Sequence, residues 1–501
     1  VAKGFDFGIA GTATAMPAFQ RVMGRPWPSE ASGYLIPATI QSAWTACSTA
    51  GEILGVLVSG HIMDRIGRKH TILIGSLFTA IGVAMQVASH EWKLFLGGRL
   101  VNGVGFGIVY VIAPVWIGEN VRPELRGLFL CIMNGSIVFA QFVLALIAYG
   151  TDKLQGTWSY QTLVVLQFAF VAALLLGYPF FPESPYLLLK KCQEERARKS
   201  LTRIHGSKDQ ALIDAELSRM KESIEVSAGL EAVAGMDGPP IIQVWKKSNL
   251  VCLPPRLMNT KRTLISLLPP MAQQFIGAAF VITYVTYFLS LLGVKDYFTV
   301  SVALYVIMLV SNLSAFPLIE VAGRRPLLLY GMIALTVIEL IMGIMGCISS
   351  SAALWVILVC IFLWALVYQV SIGAVGFALA SEVASPPLRP VTLSLVGITQ
   401  GLSGWIIGFV TPYMINPDAG NLGAKVGFVF AGLGIPLCIT FYFAIPETLG
   451  LSFADMDYLF AEKVSPRHFQ KAISEHRRLI DHLELVDQDS KAHEATVIHL
   501  N

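Results

Sequence analysis

Ionisable side chains within or near long apolar runs are the residues of this sequence that could do chemistry. They are Asp6, Glu52, Arg99, Glu339 and Glu382. An ion at the centre of a bilayer costs about 2.5–3.5 kcal/mol even on insertion scales, so such residues are rare and usually functional. Asp6 and Arg99 could form a pair in which burial favours the protonated carboxyl and the cation favours the ionised one. This competition suits a group that binds and releases a proton; a static ion pair is the alternative, and Glu52 has no assigned role.

The elements that must position these charges are long and strongly apolar. Of the 501 residues, 54% are hydrophobic and 14% are charged, whereas soluble domains have about 45–50% and about 25%. The apolar residues come in runs of about 20, the length needed to cross the hydrocarbon core of a bilayer. A large soluble enzyme with buried helices is the alternative, but short charged loops between many such runs favour an all-α membrane protein.

Charge and cysteine content argue against several other classes of protein. The net charge is only +3 and the basic residues are dispersed among loops, so we do not expect nucleic-acid binding. The seven cysteines show neither metal-ligand spacing nor a disulfide framework. Since the sequence contains no nucleophile or metal-site constellation, we expect a protein that is not an enzyme and has no cofactor and no metal.

Apolar runs separated by charged breaks predict twelve membrane-spanning helices. The predicted spans, numbered 1 to 12, are residues 4–19, 35–60, 70–89, 94–118, 127–150, 161–181, 263–292, 298–319, 326–348, 353–380, 390–414 and 426–445. Span 1 is short and the chain begins with Val rather than Met, so we expect the first half of this helix to be missing. The predicted units are a six-helix half (1–181), a cytoplasmic helical linker (182–262), a second six-helix half (263–445) and a cytoplasmic tail (446–501).

Acidic and basic landmarks recur in the two halves in the same order and at nearly the same offset. They are the segments 64–69 and 320–325, the pairs Glu119/Arg126 and Glu382/Arg389, and the tripeptides Pro182–Ser184 and Pro446–Thr448. Three such matches are improbable by chance. We therefore expect two parallel six-helix repeats with a binding site at the interface between them.

Lysine and arginine concentrate in loops on one face of a twelve-span arrangement, and the linker and tail lie on the same face. By the positive-inside rule we expect this face and both chain termini to be cytoplasmic. Charges there could join neighbouring helix ends in a latch that shuts the cytoplasmic side and breaks when it opens. The alternative is that they only anchor the topology. The expected gate residues are Asp64, Arg65, Arg68, Glu119, Arg126, Glu320, Arg324, Arg325, Glu382 and Arg389.

Short motifs along the whole chain resemble the sugar porter family of the major facilitator superfamily. In chain order they are Gly4–Asp6, Gly60–Lys69, Gly98–Leu100, Pro123–Gly127, Pro182–Pro185, Gln273–Gln274, Gly323–Arg325 and Pro446–Thr448. The chain is most similar to fungal α-glucoside (maltose-type) permeases. Gly51–Glu52, Tyr284–Phe288 and the segments 411–417 and 423–428 carry that second resemblance. The resemblance implies the major facilitator fold.

The resemblance also implies residue roles. Asp6 matches the aspartate that carries the proton in symporters of the family, and Arg99 matches its arginine partner. The residues that match or could extend a sugar-contacting set are Asn134, Gln141, Gln273, Gln274, Tyr284, Phe377 and Gln400. Amides can both donate to and accept from sugar hydroxyls, and aromatic rings can cover the C–H face of a sugar. The alternative for the amides is that they join helices.

The function that the resemblance implies is inward symport of a sugar and a proton by alternating access. A uniporter of the same fold and a non-transporting sugar receptor are the alternatives. We expect a monomer in the plasma membrane, with a sugar (α-glucoside, hexose or polyol), a proton and the lipid bilayer as its partners. Ala279, Phe377 and Leu449 depart from the family pattern, so we do not expect typical hexose specificity.

Overall fold

The computed structural model describes residues 2–29, 32–121, 123–154, 156–206, 210–233, 257–348, 350–384, 389–451, 453–476 and 478, with a few helical positions described by backbone only. One short antiparallel hairpin pairs β1 (Arg25–Pro26) with β2 (Tyr34–Leu35). The α-helices are α1 (Ala2–Thr14), α2 (Pro17–Met23), α3 (Ala38–Ile66), α4 (Arg68–Val87), α5 (Trp92–Asn120), α6 (Pro123–Thr151), α7 (Trp158–Val165), α8 (Gln167–Gly177), α9 (Pro185–Lys190), α10 (Glu194–His205), α11 (Gln210–Val233), α12 (Leu257–Phe275), α13 (Ala278–Leu291), α14 (Tyr297–Ala322), α15 (Arg324–Met345), α16 (Ser351–Val370), α17 (Ile372–Val383), α18 (Arg389–Ile415), α19 (Val426–Ala444) and α20 (Phe453–Ala461).

Eleven of the twelve predicted spans correspond to helical stretches of the described chain that are long and apolar enough to cross a membrane. The remaining predicted span begins with α1, which has 13 residues, fewer than a full crossing needs, and packs against α6 of its own half and α13 of the other. Spans 6, 7 and 10 each consist of two consecutive helices, α7 with α8, α12 with α13, and α16 with α17. The all-α, twelve-helix prediction therefore agrees with the architecture.

Close backbone approach fixes α5 against α3. Gly51 and Gly55 on α3, and Gly103 and Gly107 on α5, each face a carbonyl oxygen of the opposite helix, and a Cβ at any of them would overlap that oxygen. Small residues at such positions let two membrane helices pack with their backbones in contact. This packing brings the polar side chains of α3 and α5 close to the start of α1.

Span 7 is interrupted at Gly277, immediately before α13. The residue has φ +82°, a left-handed conformation that glycine adopts without a steric penalty. Its backbone N–H donates to the Gln274 carbonyl oxygen over 3.1 Å. The interruption places Gln273 and Gln274 in the last turn of α12, and α13 beyond it is almost entirely buried.

The linker and the tail add further helices at one face of the bundle, called here the linker face. Helices α10 and α11 bury an apolar cluster that includes Leu201, Leu217 and Met220. In the tail, α20 packs on the second half, where Arg262 at the start of α12 forms an ion pair with Asp457. The division of the chain into two halves, a linker and a tail stays a prediction about independent units.

Candidate functional site

A buried polar network joins α1, α5 and α8 within the first half. Arg99 Nη1 donates to Asp6 Oδ1 over 2.6 Å, and Asn102 Nδ2 donates to the same oxygen over 2.9 Å. Asn102 Nδ2 also donates to Gln167 Oε1 over 3.1 Å. Asp6 is 7% exposed and Arg99 is 3% exposed, so the pair is almost fully removed from solvent. The structure thus brings together the two residues expected to handle a proton.

A second ion pair lies beside this network. Lys3 donates to the Glu52 carboxylate, and its Nζ lies 3.6 Å from the centre of the Tyr110 ring. The side chains of Lys3 and Glu52 are about one quarter exposed, more than those of Asp6 and Arg99. The sequence pattern gives Glu52 no role and does not single out Lys3, although Lys3 precedes Asp6 by one helical turn and so shares its face of α1.

Paired glutamines connect α12 with α17 and α18. Gln400 Nε2 donates to Gln273 Oε1 over 3.0 Å, and Gln273 Nε2 donates to the Ile372 carbonyl oxygen over 2.8 Å. Gln274 lies against α18, where a Cβ on Gly404 would be 3.4 Å from its Oε1. Three of the expected sugar-binding amides therefore lie together beside the interruption of span 7.

The other expected sugar-binding residues occupy different surroundings. Gln141 is buried and Asn134 is half-buried, both on α6, the helix that packs against α1 and α14. Phe377 on α17 is 40% exposed. Tyr284 on α13 is only 1% exposed, and its hydroxyl lies 2.5 Å from Thr45 Oγ1 on α3. The described bonds do not join Asn134, Gln141, Phe377 or Tyr284 to the glutamine group.

At the linker face, the first half contains a cluster of charges at the junction of α3 and α4. Arg68 Nη2 pairs with Glu119 Oε1 at 2.5 Å, and Arg68 Nη1 lies 3.6 Å from Asp64. The Glu183 carboxylate accepts the backbone N–H groups of Arg68 and Lys69 at 2.8 and 3.2 Å. A carboxylate at a helix N-terminus satisfies unpaired donors and is favoured by the helix dipole.

The second half repeats this arrangement at the junction of α14 and α15. Arg324 Nη2 pairs with Glu382 Oε1 at 3.0 Å. The Glu447 carboxylate accepts the backbone N–H groups of Arg324 and Arg325 at 3.0 and 3.1 Å. Arg325 additionally donates to the Tyr442 carbonyl oxygen over 2.8 Å. Among the described bonds, neither cluster joins one six-helix half to the other.

The remaining expected gate residues differ in position. Arg65 and Glu320 are exposed, and the Arg65 carbonyl oxygen accepts from Lys191 Nζ over 2.9 Å. The side chains of Arg126 and Arg389 lie outside what the structure describes. In the sequence, Glu183 and Glu447 stand out only as repeat landmarks, and their bonds to the starts of α4 and α15 are not predicted from it. The recurrence of Pro-Glu-Ser and Pro-Glu-Thr was the signal that could have indicated them.

Comparison with known proteins shows the family to which this chain belongs. The model of the family described as "Sugar (and other) transporter" matches residues 1–460, and the chain belongs to this family. It is a multi-pass membrane transporter of the major facilitator superfamily and not an enzyme. The fold is similar to that of the inward-open xylose transporter XylE from E. coli, which aligns with a TM-score of 0.71 and 18% identity, covering 91% of this chain and 97% of XylE.

The curated relatives have several different names. The MFS transporter fmqE of Aspergillus fumigatus is 28% identical, covering 94% of this chain and 85% of the relative. The high glucose sensor RGT2 of Saccharomyces cerevisiae is 25% identical, covering 91% of this chain and 58% of the relative. The alpha-glucosides permease MPH3 of Saccharomyces cerevisiae is 28% identical, covering 94% of this chain and 77% of the relative. The relatives therefore include two transporters and one sensor.

Proposed function

We propose that this transporter carries a sugar across the membrane together with a proton, by alternating access. The single observation that carries the proposal is the buried Asp6–Arg99 pair on two helices of the first half. Intramembrane ionisable residues are rare unless they serve a pathway or a proton relay. Two names support the choice of sugar and proton, since MPH3 is an alpha-glucosides permease and XylE is described as a proton:xylose symporter.

Asp6 is the proposed proton carrier and Arg99 its partner. The described bonds from Arg99 and Asn102 both reach Oδ1, so Oδ2 is the oxygen that we expect to take the proton. A proton there neutralises Asp6 and weakens its attraction to Arg99. Helix α1 also contacts the other half, since Gly11 lies directly against the Thr283 carbonyl oxygen. A shift of α1 on protonation would therefore reach α13.

The proposed sugar site uses amides from both halves. Gln273, Gln274 and Gln400 supply amides from the second half, and Asn134 and Gln141 supply them from α6. Each amide can donate and accept, which matches the hydroxyls of an α-glucoside, a hexose or a polyol. Phe377 and Tyr284 are the aromatic rings proposed to cover the C–H face of the sugar.

We propose that the charge clusters of the linker face serve gating indirectly, by making each half rigid. We place this face and both chain termini in the cytoplasm, because arginine and lysine concentrate there. Bonds around Arg68 and Arg324 hold the helix ends of each half together, so that each half can move as one body. The protein is proposed to act as a monomer in the plasma membrane.

The test is sugar and proton uptake in cells that lack their own sugar transporters. Labelled maltose, other α-glucosides, hexoses and polyols are offered to cells that make the parent chain, Asp6→Asn or Asp296→Asn. Asp296 is an exposed residue that precedes α14, and its substitution is the control. We expect alkalinisation of the medium with the transported sugar in the parent and the control. In Asp6→Asn we expect that proton signal and uphill accumulation to disappear.

Other results would select other functions. Sugar equilibration with no proton signal in the parent would replace symport with uniport. Absence of any uptake, with normal amounts of protein at the cell surface, would favour the sensor function for which RGT2 is named. In that case sugar binding measured on the purified protein would separate a receptor from a transporter of another substrate.

A further inference from the structure

The segment between α18 and α19 contacts the start of α3 at the face opposite the linker. Asn416 is completely buried and donates from Nδ2 to the Ile36 carbonyl oxygen over 2.9 Å. Its Oδ1 accepts from Gln41 Nε2 over 3.2 Å and from the Tyr287 hydroxyl of α13. One side chain of the second half is thus bonded to two residues of the first half and to α13.

Asp418 supplies the cap that α3 cannot supply itself. The residue before α3 is Pro37, which makes no side-chain bond to the helix start. The two carboxylate oxygens of Asp418 lie 3.3 and 3.1 Å from the backbone N of Ala38, which donates to them, and Oδ1 also accepts from Asn416 Nδ2 over 2.9 Å. A carboxylate at this position satisfies an unpaired donor and is attracted by the helix dipole. The first turn of α3 is therefore capped by the other half of the molecule.

Further bonds between the halves lie on the same side of the molecule. Ser42 Oγ donates to the Phe409 carbonyl oxygen over 2.7 Å, and Trp405 Nε1 donates to the Ala46 carbonyl oxygen over 3.2 Å. The clusters at the linker face, by contrast, use bonds within one half. The described polar contacts thus close the face opposite the linker.

We propose that Asn416 and Asp418 form a latch that holds this face shut and sets the equilibrium between the two orientations of the transporter. The inference rests on the proposed alternating-access function. Rotation of the halves must separate Asp418 from Ala38 and Asn416 from Ile36 before this face can open. Because Asn416 also binds Tyr287 on α13, the helix that follows Gln273 and Gln274, the latch connects the position of α13 to closure.

The test measures opening directly, without sugar or a proton gradient. Ser42→Cys is introduced as a reporter in a chain whose seven native cysteines are replaced. Ser42 is completely buried behind the latch, so an impermeant maleimide reaches Cys at this position only when the face opens. The parent, the latch variants and the control all carry Ser42→Cys, so the loss of the Ser42–Phe409 bond is common to every chain compared. The reagent is added at the face opposite the linker, and the labelling rate is compared for Asn416→Ala, Asp418→Asn and the control Asp296→Asn.

We expect Asp418→Asn to label about threefold faster than the parent, because an exposed charge at a helix start contributes little. Asn416→Ala is expected to label about tenfold faster or more, because it leaves several buried groups unpaired. The control should match the parent. Labelling of both latch variants at the parent rate would overturn the proposal.

A cross-link provides a second, independent measurement. Oxidation of the pair Ala38→Cys with Asp418→Cys should stop uptake, and a reducing agent should restore it. Uptake that persists in the fully cross-linked protein would overturn the latch. If the latch variants label faster but the parent chain takes up no sugar, the latch is supported and the proposed function is rejected. If the parent chain takes up sugar with a proton but the latch variants label at the parent rate, only the latch is rejected.

Discussion

At the scale of residues, two adjacent ion pairs form one electrically balanced group. Asp6 pairs with Arg99, and Lys3, one turn earlier on α1, pairs with Glu52 of α3. With all four ionised the charges cancel, and protonation of Asp6 leaves one net positive charge. The second pair is the more exposed of the two. Lys3 and Glu52 therefore set the electrostatic surroundings of the proposed proton carrier.

The balance of these charges gives a prediction about Glu52. Glu52→Gln leaves the Lys3 ammonium without its partner, a loss that costs about 3–5 kcal/mol for fully buried pairs and less here, where the side chains are partly exposed. We expect a marked fall in the amount of folded protein and in uptake. The double variant Lys3→Met with Glu52→Gln should recover most of the folded protein, as measured by size-exclusion profiles in detergent. A double variant as damaged as the single one would contradict the proposed compensation.

A second residue-scale prediction concerns Gln273. Gln273→Ala removes one amide from the proposed sugar site, and a single hydrogen bond contributes about 0.5–1.5 kcal/mol. We expect the KM for the transported sugar to rise by roughly 2- to 12-fold, with a smaller rise for an analogue that lacks the bonded hydroxyl. The matched control is Gln161→Ala on α7. If Gln273 only joins α12 to α17 and α18, the amount of folded protein would fall while KM stayed the same.

At the scale of elements, the starts of α4 and α15 are built in the same way. Each follows a glycine of positive φ, Gly67 at +107° and Gly323 at +85°. In each helix the first two backbone N–H groups donate to the two carboxylate oxygens of a distant glutamate. The glycine directs the chain so that these N–H groups face the carboxylate. A side chain on either glycine would occupy the space of that carboxylate. The sharp turn at the glycine and the glutamate cap of the helix start therefore form one motif, which occurs in both halves.

This arrangement predicts opposite effects on stability for alanine substitutions at two glycines of the segment 60–69. Gly67→Ala places a side chain at a backbone conformation that costs about 1–3 kcal/mol, and the new Cβ overlaps the Glu183 carboxylate. Gly60→Ala lies within α3 with nothing near its Cβ, and should stabilise the protein by about 0.5–1 kcal/mol. Thermal unfolding midpoints in detergent should therefore fall for Gly67→Ala and hold or rise for Gly60→Ala. Equal midpoints would contradict the role of Gly67.

At the scale of the whole molecule, the sequence predicts the features that repeat or that follow from local hydrophobicity. The predicted span 35–60 corresponds to α3 (Ala38–Ile66), which continues past its apolar run because it ends only at Gly67. Span 1 is interrupted near Pro17, where α2 begins, although hydrophobicity alone runs on to residue 19. The pairing of Asp6 with Arg99 could be predicted from the sequence because few other charges lie in apolar runs.

Contacts between segments far apart in the chain could not be predicted in this way. Glu183 binds the start of α4, and Asp418 binds the start of α3, through backbone donors that carry no signature of their partner. The Lys3–Glu52 pair joins α1 to α3, so it depends on how these two helices pack against each other. Hydrophobic pattern indicates which segments cross the membrane, whereas the rotation of each helix about its axis follows from packing with its neighbours.

Attachment of the tail to the second half gives the last prediction. Arg262 is buried and bonds to the Val383 carbonyl oxygen over 2.9 Å, so its guanidinium joins the start of α12 to the end of α17, while Asp457 of α20 neutralises it. Asp457→Asn removes that charge, and hydrogen bonds to charged groups contribute about 1.5–3 kcal/mol. The docked state of α20 should then open more often.

Limited trypsin digestion measures this opening, because Arg467 and Lys471 flank the buried residue Phe469 in the docked tail. We expect tail cleavage to be about tenfold faster in Asp457→Asn, since local opening exposes the backbone to the protease. Glu462→Gln, an exposed change of the same kind just beyond α20, is the control and should cleave at the parent rate. Equal rates for both variants would mean that apolar packing alone holds the tail. A faster rate for Asp457→Asn would show that the Arg262–Asp457 ion pair holds the docked tail on the second half.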